Sequence, residues 1–509
     1  MKKIIAFVLA LTLTASLAAC GGGGAVGDDE GGQGDNSGSG NEPSAAGISL
    51  SGEIGGEITI SAYDTMRSKA FLEDAARLFE EKHPGTKVNV ETFSAMPEIK
   101  TSEQGDKKMV MVEMKDDTQS RQDYIKKMNT ALMGGGGADI LSMDVLPVQK
   151  YVEGGQLENL GAYMDADPDF GRADYLENIL DASRYKGGTW FLPLDYTFNY
   201  YAYDRALLPG ASGFGTGSAF TVGQLIALAE GSFDGSSKLF NIFDYTKRSG
   251  GMWGTLLAEN YTSFVDLENK TANFDDGSFA ALLESVKEYS ERGYIPKGAT
   301  GGGDAGAMMQ RAGEEATNRF FFKPKNVINL LSLFTRDSGI KMAVMAEGGT
   351  MAIGDDDEIA GIAANADGSV PFTYSQAYGI NGSSQNKETA WAFLRFLLSE
   401  EMQLNTNMEI TALPLNNAAR EKKMEATLTG RMGEAGQQGQ PLNEAQTQAI
   451  AKYNEAVKQL SRQINAYVFE DTIVGDMISA EVAYFFDGTK TAGEVADVLQ
   501  NKVGLYLSE

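Results

Sequence analysis

The segment TWFLPLDYTFNYYAYD, residues 189–204, carries seven aromatic rings in sixteen positions, with carboxylates at Asp195 and Asp204 among them. Two roles suit such a stretch. The rings can fill a core, or they can wall a site that holds something flat and polar. An aromatic face is a flat apolar surface, and a carboxylate beside it accepts directional hydrogen bonds. A pyranose asks for both, because its C–H groups make one apolar face inside a rim of hydroxyls. Two neighbouring pairs supply that combination: Tyr63 with Asp64, and Asp195 with Tyr196. Phe334 and Tyr374 are weaker additions by the same logic. The competing role of each ring is core packing, and that of each aspartate a helix cap or turn.

Other chemistry is limited by composition. The chain has one Cys and one His, so no disulfide forms within it and no Cys/His metal site can be built. His83 sits in FEEKHPGTKV, where Pro84 and Gly85 end a helix, and is expected to face solvent there. DADPDFGRAD, residues 165–174, alternates Asp165, Asp167 and Asp169 like a calcium loop. Its glycine comes one place late and no Glu falls at the twelfth position, so a calcium site is not expected. MGGGGAD ends a helix rather than opening one and lacks the Lys of a phosphate loop. No cofactor is expected. DDDE, residues 355–358, is expected to be a solvated loop, and FFFKPK, residues 320–325, a buried strand followed by a turn. The net charge is −27, which makes nucleic acid and anionic lipid poor partners.

The elements that would position a site alternate in type. EITISAYD (57–64) and TKVNVETF (86–93) are strand-like, and SKAFLEDAARLFEEKH between them places Phe71, Leu72, Ala75, Ala76 and Phe79 on one helical face. A polar stretch at 94–120 looks like an insertion. RQDYIKKMNTALMGGGG is a helix with Tyr124, Ile125, Met128 and Leu132 on one face, and ADILSMD a third strand. Strands separated by helices imply an open, mostly parallel sheet, and ligands of such sheets sit beyond the carboxyl ends of the strands. Asp64 and Asp144 lie there. Near the end, NKETAWAFLRFLLSEEMQ and TAGEVADVLQNKVGLYLSE are helices, the second opened by a Thr491–Glu494 capping box. At 509 residues, two lobes or domains are expected.

The first twenty residues, MKKIIAFVLALTLTASLAAC, read as a secretory signal: two lysines, an apolar run too short to span a membrane, then small residues. LAAC resembles the lipobox of bacterial lipoproteins, and the lone Cys of the chain, Cys20, stands at its last position. That resemblance implies cleavage before Cys20 and a diacylglycerol on its thiol, with palmitate among the acyl groups. Residues 21–51 are Gly, Ser and acidic residues with almost nothing to bury, as in a flexible tether about 30 Å long on average.

The order of pieces resembles the extracellular solute-binding proteins of sugar ABC importers, the maltose-binding type of Gram-positive lipoproteins. The resemblance runs from about residue 57 to the C-terminus. It rests on FEEKHPGTKVNVE, MGGGGADILSMD, VQKYVEGGQLENL, LPLDYTFNYYAYDRALLP, YTSFVDLENKTANFDD, QAYGINGSSQNKETAWAFLRFLLSEE and ITALPLNNAA in that order. It implies an α/β, two-lobed periplasmic-binding-protein-like fold (type II) with a hinge and an interlobe cleft. The implied divisions are 1–19 signal peptide, 20–51 lipidated Cys and tether, 52–197 and 373–420 first lobe, 198–372 and 421–509 second lobe. It also implies a monomer on the outer face of the cell membrane, a carbohydrate ligand, ABC permease subunits as partners, and no catalysis. By the resemblance, LPLDYTFNYYAYD crosses the hinge: Asp195 and Tyr196 face the cleft, while Phe198, Tyr200 and Tyr203 pack. Trp253, in GGMWGTLL, stands where the family often places a stacking ring. A surface glycoside hydrolase, with two Asp as acid and base, and a binder of peptides or polyamines are the competing readings.

Overall fold

The structure is a computed structural model, and it describes residues 48, 50–64, 68–94, 98–104, 107–113, 117–243, 246, 251–296, 317–327, 330, 357–405, 407–408, 412–432 and 442–508. A first five-stranded sheet has the order 86–94, 56–64, 140–142, 377–380, 192–193. The first three strands are parallel and the last two run antiparallel to their neighbours. The second strand of that order, Gly56–Asp64, buries Ile58, Ile60 and Ala62 against the helix Ser68–Lys82. That helix turns in Phe71, Leu72, Ala75, Ala76 and Phe79, the face its spacing predicts. It ends where Gly85 takes φ +100°, a conformation that suits glycine, and Gly85 O then accepts the Gly56 amide at 3.2 Å. His83 is half-buried rather than solvent-facing, its ring 4.4 Å from that of Phe79. In the strand Ala377–Ile380 a side chain at Gly379 would meet the Trp190 carbonyl at 2.9 Å, so only glycine fits between the neighbours.

The second sheet has the order 238–240, 320–326, 199–204, 357–363, 219–220. Its central strand Asn199–Asp204 alternates as a strand buried on both faces must. Tyr201 and Tyr203 enter a core built with the helices Met252–Phe264, Ser278–Glu291, Thr472–Phe486 and Ala492–Ser508. Tyr200 and Ala202 enter a different cluster, which the helix Glu444–Ser461 shares through Tyr453, Val457 and Leu460. Phe198, Tyr200 and Tyr203 are thus packing residues, as expected. The strand Phe320–Asn326 covers all of FFFKPK as expected and runs on through Asn326, so the expected turn does not begin within it. The DDDE stretch departs from expectation: Asp357 and Glu358 open the strand Asp357–Ala363, and Asp357 is 2 % exposed. Lys323 on the nearby strand Phe320–Asn326 explains this, because its ammonium reaches both Asp357 oxygens, at 2.7 and 2.8 Å.

The chain passes between the sheets three times. It leaves the first sheet after Pro193 and enters the second at Asn199; it returns between Ala363 and Ala377; it crosses again between Ser461 and Thr472. Two-residue pairings tie these passages: Asp195–Tyr196 with Leu413–Pro414, and Pro371–Phe372 with Ala466–Tyr467. Residues 98–104 and 107–113, inside the stretch that reads as an insertion, form an antiparallel pair of strands. In the loop that resembles a calcium site, both carboxylates nearest its centre are taken by Arg395. Its Nη1 lies 2.8 Å from Asp167 and 3.0 Å from Asp169, and the Trp391 indole donates to Asp167 at 2.7 Å. Among the described residues no group of His, Cys, Asp and Glu could hold a metal ion.

Candidate functional site

Asp144 and Asp195 come together beside the short segment 373–377, although they are far apart in the chain. Asp144 follows the strand Ile140–Ser142, and Asp195 begins the first passage between the sheets. The Ala377 amide donates to one oxygen of Asp144 at 2.8 Å and the Ser142 hydroxyl to the other at 2.7 Å. The Ser375 amide donates to Asp195 at 2.7 Å, and its hydroxyl to the second oxygen. Asp195 is wholly buried, whereas Asp144 is half-buried and keeps lone pairs for a ligand. Tyr374, next to Ser375, feels the charge of both carboxylates. Asp144, Asp195 and Tyr374 are therefore three expected residues that the fold gathers at one place.

Rings extend from this point. Tyr374 stacks on Tyr467 with centroids 5.2 Å apart and planes 19° apart, and their hydroxyls are hydrogen-bonded at 2.9 Å. Tyr467 meets Phe469 at 4.7 Å, and Phe469 meets Tyr185 at 5.4 Å. Phe191 packs beneath Tyr374, Tyr467 and Phe469. Tyr374, Tyr467 and Phe469 are half-buried, which is the exposure a stacking surface needs. Tyr467 and Phe469 are absent from the sequence-derived set. Their alternation in NAYVFED is visible in the sequence, but only the third passage brings it against Tyr374.

Other expected residues fall elsewhere. Tyr63 is 4 % exposed and packs on Tyr124 at 5.5 Å, so it lies in the core below the site. Asp64 ends the strand Gly56–Asp64, level with Ser94. Tyr196 is 0 % exposed, with its hydroxyl 3.0 Å from that of Ser461, so its ring is core and not wall. Trp253 does open the helix Met252–Phe264, but it is 1 % exposed and packs edge-on against Phe279 and Phe486. A helix start does not decide which way the ring points; here the second core takes it. Phe334 and Cys20 lie outside the described residues.

Burial pushes the Asp144 carboxyl up to about 7; its hydrogen bonds to Ser142 and Ala377 oppose the shift, and the charge of Asp195 adds to it. Burial likewise raises Asp195 to about 6, against the hydrogen bonds from Ser375. Both groups bind protons more tightly folded than unfolded. Each therefore adds stability that is fully present below about pH 4 and is lost as pH rises toward about 7. Comparing wild type with Asp144→Asn by denaturant unfolding between pH 5 and 8 should show the variant gaining on wild type, by on the order of 2 kcal/mol at pH 8. Parallel curves would show that Asp144 titrates normally. Glu259, raised to about 8 by burial, stays in both proteins and cancels in the difference.

Charged contacts join the two sides. Arg121, on the helix Asp117–Met133, meets Asp476 on the helix Thr472–Phe486 at 3.0 Å. Glu153, ending the helix Val148–Glu153, takes Lys270 at 3.1 Å, and Lys150 lies 3.7 Å over the Tyr506 ring. Arg121, Glu153 and Lys150 belong to helices packed with the first sheet; their partners belong to the second core.

The model of the family described as bacterial extracellular solute-binding protein matches residues 63–404. This chain belongs to that family, and its fold is the two-lobed α/β fold of such proteins. It is a binding protein, not an enzyme. Solved structures are similar across nearly their whole length. The sugar-binding protein MalE from Xanthomonas citri is 14% identical, with 89% of this chain and 98% of that one covered and a TM-score of 0.53. A family 1 extracellular solute-binding protein from Alicyclobacillus acidocaldarius is 14% identical, with 90% and 100% covered and a TM-score of 0.52. The GacH receptor of Streptomyces glaucescens, solved unliganded and with acarbose, is 16% identical, with 90% and 100% covered and a TM-score of 0.50. Comparison with curated proteins gave no match. Among the described residues no helix is long and apolar enough to cross a membrane.

Proposed function

We propose that this protein is a lipid-anchored extracellular receptor that captures a carbohydrate, an oligosaccharide, and delivers it to the permease of an ABC importer. The observation that carries the ligand class is the half-buried Tyr374–Tyr467 stack beside Asp144. Rings take the apolar face of a sugar, and the free lone pairs of Asp144 take its hydroxyls. The run Tyr374, Tyr467, Phe469 is longer than one ring, which favours more than one sugar unit. The acarbose complex of the GacH receptor and the sugar-binding protein from Xanthomonas citri, both similar in fold, support the same class. The lobes are assigned as 52–197 with 373–461, and 198–372 with 472–509, which moves the last boundary from residue 420 to the third passage. The acyl anchor at Cys20 holds the receptor, as a monomer, at the outer face of the membrane. Sugar binding favours the closed arrangement, in which Arg121–Asp476 and Glu153–Lys270 form, because a ligand shifts an equilibrium only by its preference for one state.

The test is a thermal-shift screen of the purified protein against oligosaccharides, monosaccharides, peptides and polyamines, with product analysis alongside. A ligand at about a hundred times its Kd adds roughly 2.7 kcal/mol, a rise of a few degrees in Tm. The expected outcome is a rise with one class of oligosaccharide and no product. A response to peptides or amines alone would sink the carbohydrate assignment while leaving the fold intact.

A further inference from the structure

We propose that a small monovalent anion, such as chloride or a simple carboxylate, binds in the cavity between the helices Asn417–Met432 and Glu444–Ser461, held by Arg420. The cavity is about 100 Å³ and is lined by Arg420, Glu421, Asn454, Glu455, Val457 and Lys458. It lies apart from the Asp144 site, and the inference does not rest on the sugar reading.

The argument starts from an unmade bond. Arg420 is 8 % exposed. Its Nη2 donates to the side-chain oxygen of Asn417 at 2.8 Å, but its Nη1 is buried with no partner among the described residues. A guanidinium stays charged at any working pH, so it cannot escape burial by losing a proton. Leaving one of its N–H groups unpaired is costly, and a bond to an anion is stronger than one to a neutral acceptor. The neighbouring Tyr453 hydroxyl, which feels the Arg420 charge, is also buried without a partner among the described residues. An unpaired guanidinium N–H and an open volume lined by the same Arg420 mark a place built around something other than side chain.

The lining sets the charge of the occupant. Lys458 supplies a second cation. Glu421 and Glu455 oppose it; all three are exposed, and Glu455 already accepts from Gln459 at 2.7 Å. Exposed charges are screened by solvent, whereas the buried guanidinium is not. One negative charge therefore balances the buried one, while a doubly charged ion would carry an excess that only the screened Lys458 could offset. Asn454 completes the frame, donating to the Glu421 carbonyl at 3.2 Å and tying the helices across the cavity mouth. The anion adds a second tie, next to the crossing strand whose Tyr196 also feels the Arg420 charge.

The test uses the purified protein in chloride-free gluconate buffer, with chloride, acetate or sulfate added at constant ionic strength, and crystals soaked in bromide. Chloride or acetate should raise Tm by about 1–2 °C along a saturating curve, more than gluconate. Bromide should give an anomalous peak beside Arg420 Nη1. Arg420→Gln should abolish the dependence on anion. If that variant does not fold, Lys458→Gln, on the cavity rim, should weaken the chloride midpoint about two- to fivefold. Acetate without chloride would identify a carboxylate as the occupant. Equal Tm in all salts with only water beside Arg420, or a preference for sulfate, would overturn the proposal.

Discussion

Asp144→Asn and Tyr374→Ala are each expected to weaken carbohydrate binding about 10- to 100-fold without unfolding the protein. A hydrogen bond to a charged group contributes about 1.5–3 kcal/mol, which is a factor of ten or more in Kd. In Asp144→Asn the new side chain keeps an oxygen for the Ala377 amide, and its NH2 group can donate to the Ser142 oxygen, so the segment 375–377 stays pinned. What disappears is the carboxylate. Tyr374→Ala removes one half of the Tyr374–Tyr467 stack and the hydroxyl pair between them, leaving the ligand one wall fewer. Isothermal titration with the sugar found by the screen, at pH 8 where Asp144 is ionised, gives the readout. Wild-type affinity in both folded variants would move the ligand elsewhere in the cleft. Trp253→Phe is the contrast: a ring inside the second core should change stability and leave Kd unchanged.

The largest stability effect should come from Lys323→Met. Asp357 is 2 % exposed, and Lys323 is the cation on both its oxygens. Removing the ammonium from this buried pair is expected to cost about 3 kcal/mol. Urea unfolding at pH 8 should show that loss. The double variant Lys323→Met, Asp357→Leu should recover most of the loss, because a buried ion pair replaced by apolar groups of similar size is often neutral. A single variant as stable as wild type would show that water or another cation reaches Asp357.

Much of the scaffold is legible in the sequence because its signals are local. The apolar spacing of residues 71–79 and the Gly85 stop give the first helix, and Thr491 with Glu494 forms the expected capping box at 2.8 and 3.2 Å. Asp357 escapes this kind of reading, since four acidic residues in a row look solvated until Lys323 is known to lie alongside. His83 escapes it for a similar reason: helix ends are usually wet, but this one leans on Phe79.

The sequence by itself determined the alternation of strand and helix, the apolar faces, the absence of a disulfide and the order of motifs that places the chain in its family. All of these follow from residues within a turn or a strand of one another, or from simple counts. Only the tertiary structure decided which rings line the site. Tyr196 and Tyr374 look alike in sequence, each a tyrosine next to an oxygen-bearing side chain. Their difference is set by distant residues: Ser461 closes over Tyr196, whereas Tyr467 stacks on Tyr374 and leaves it half-buried beside Asp144.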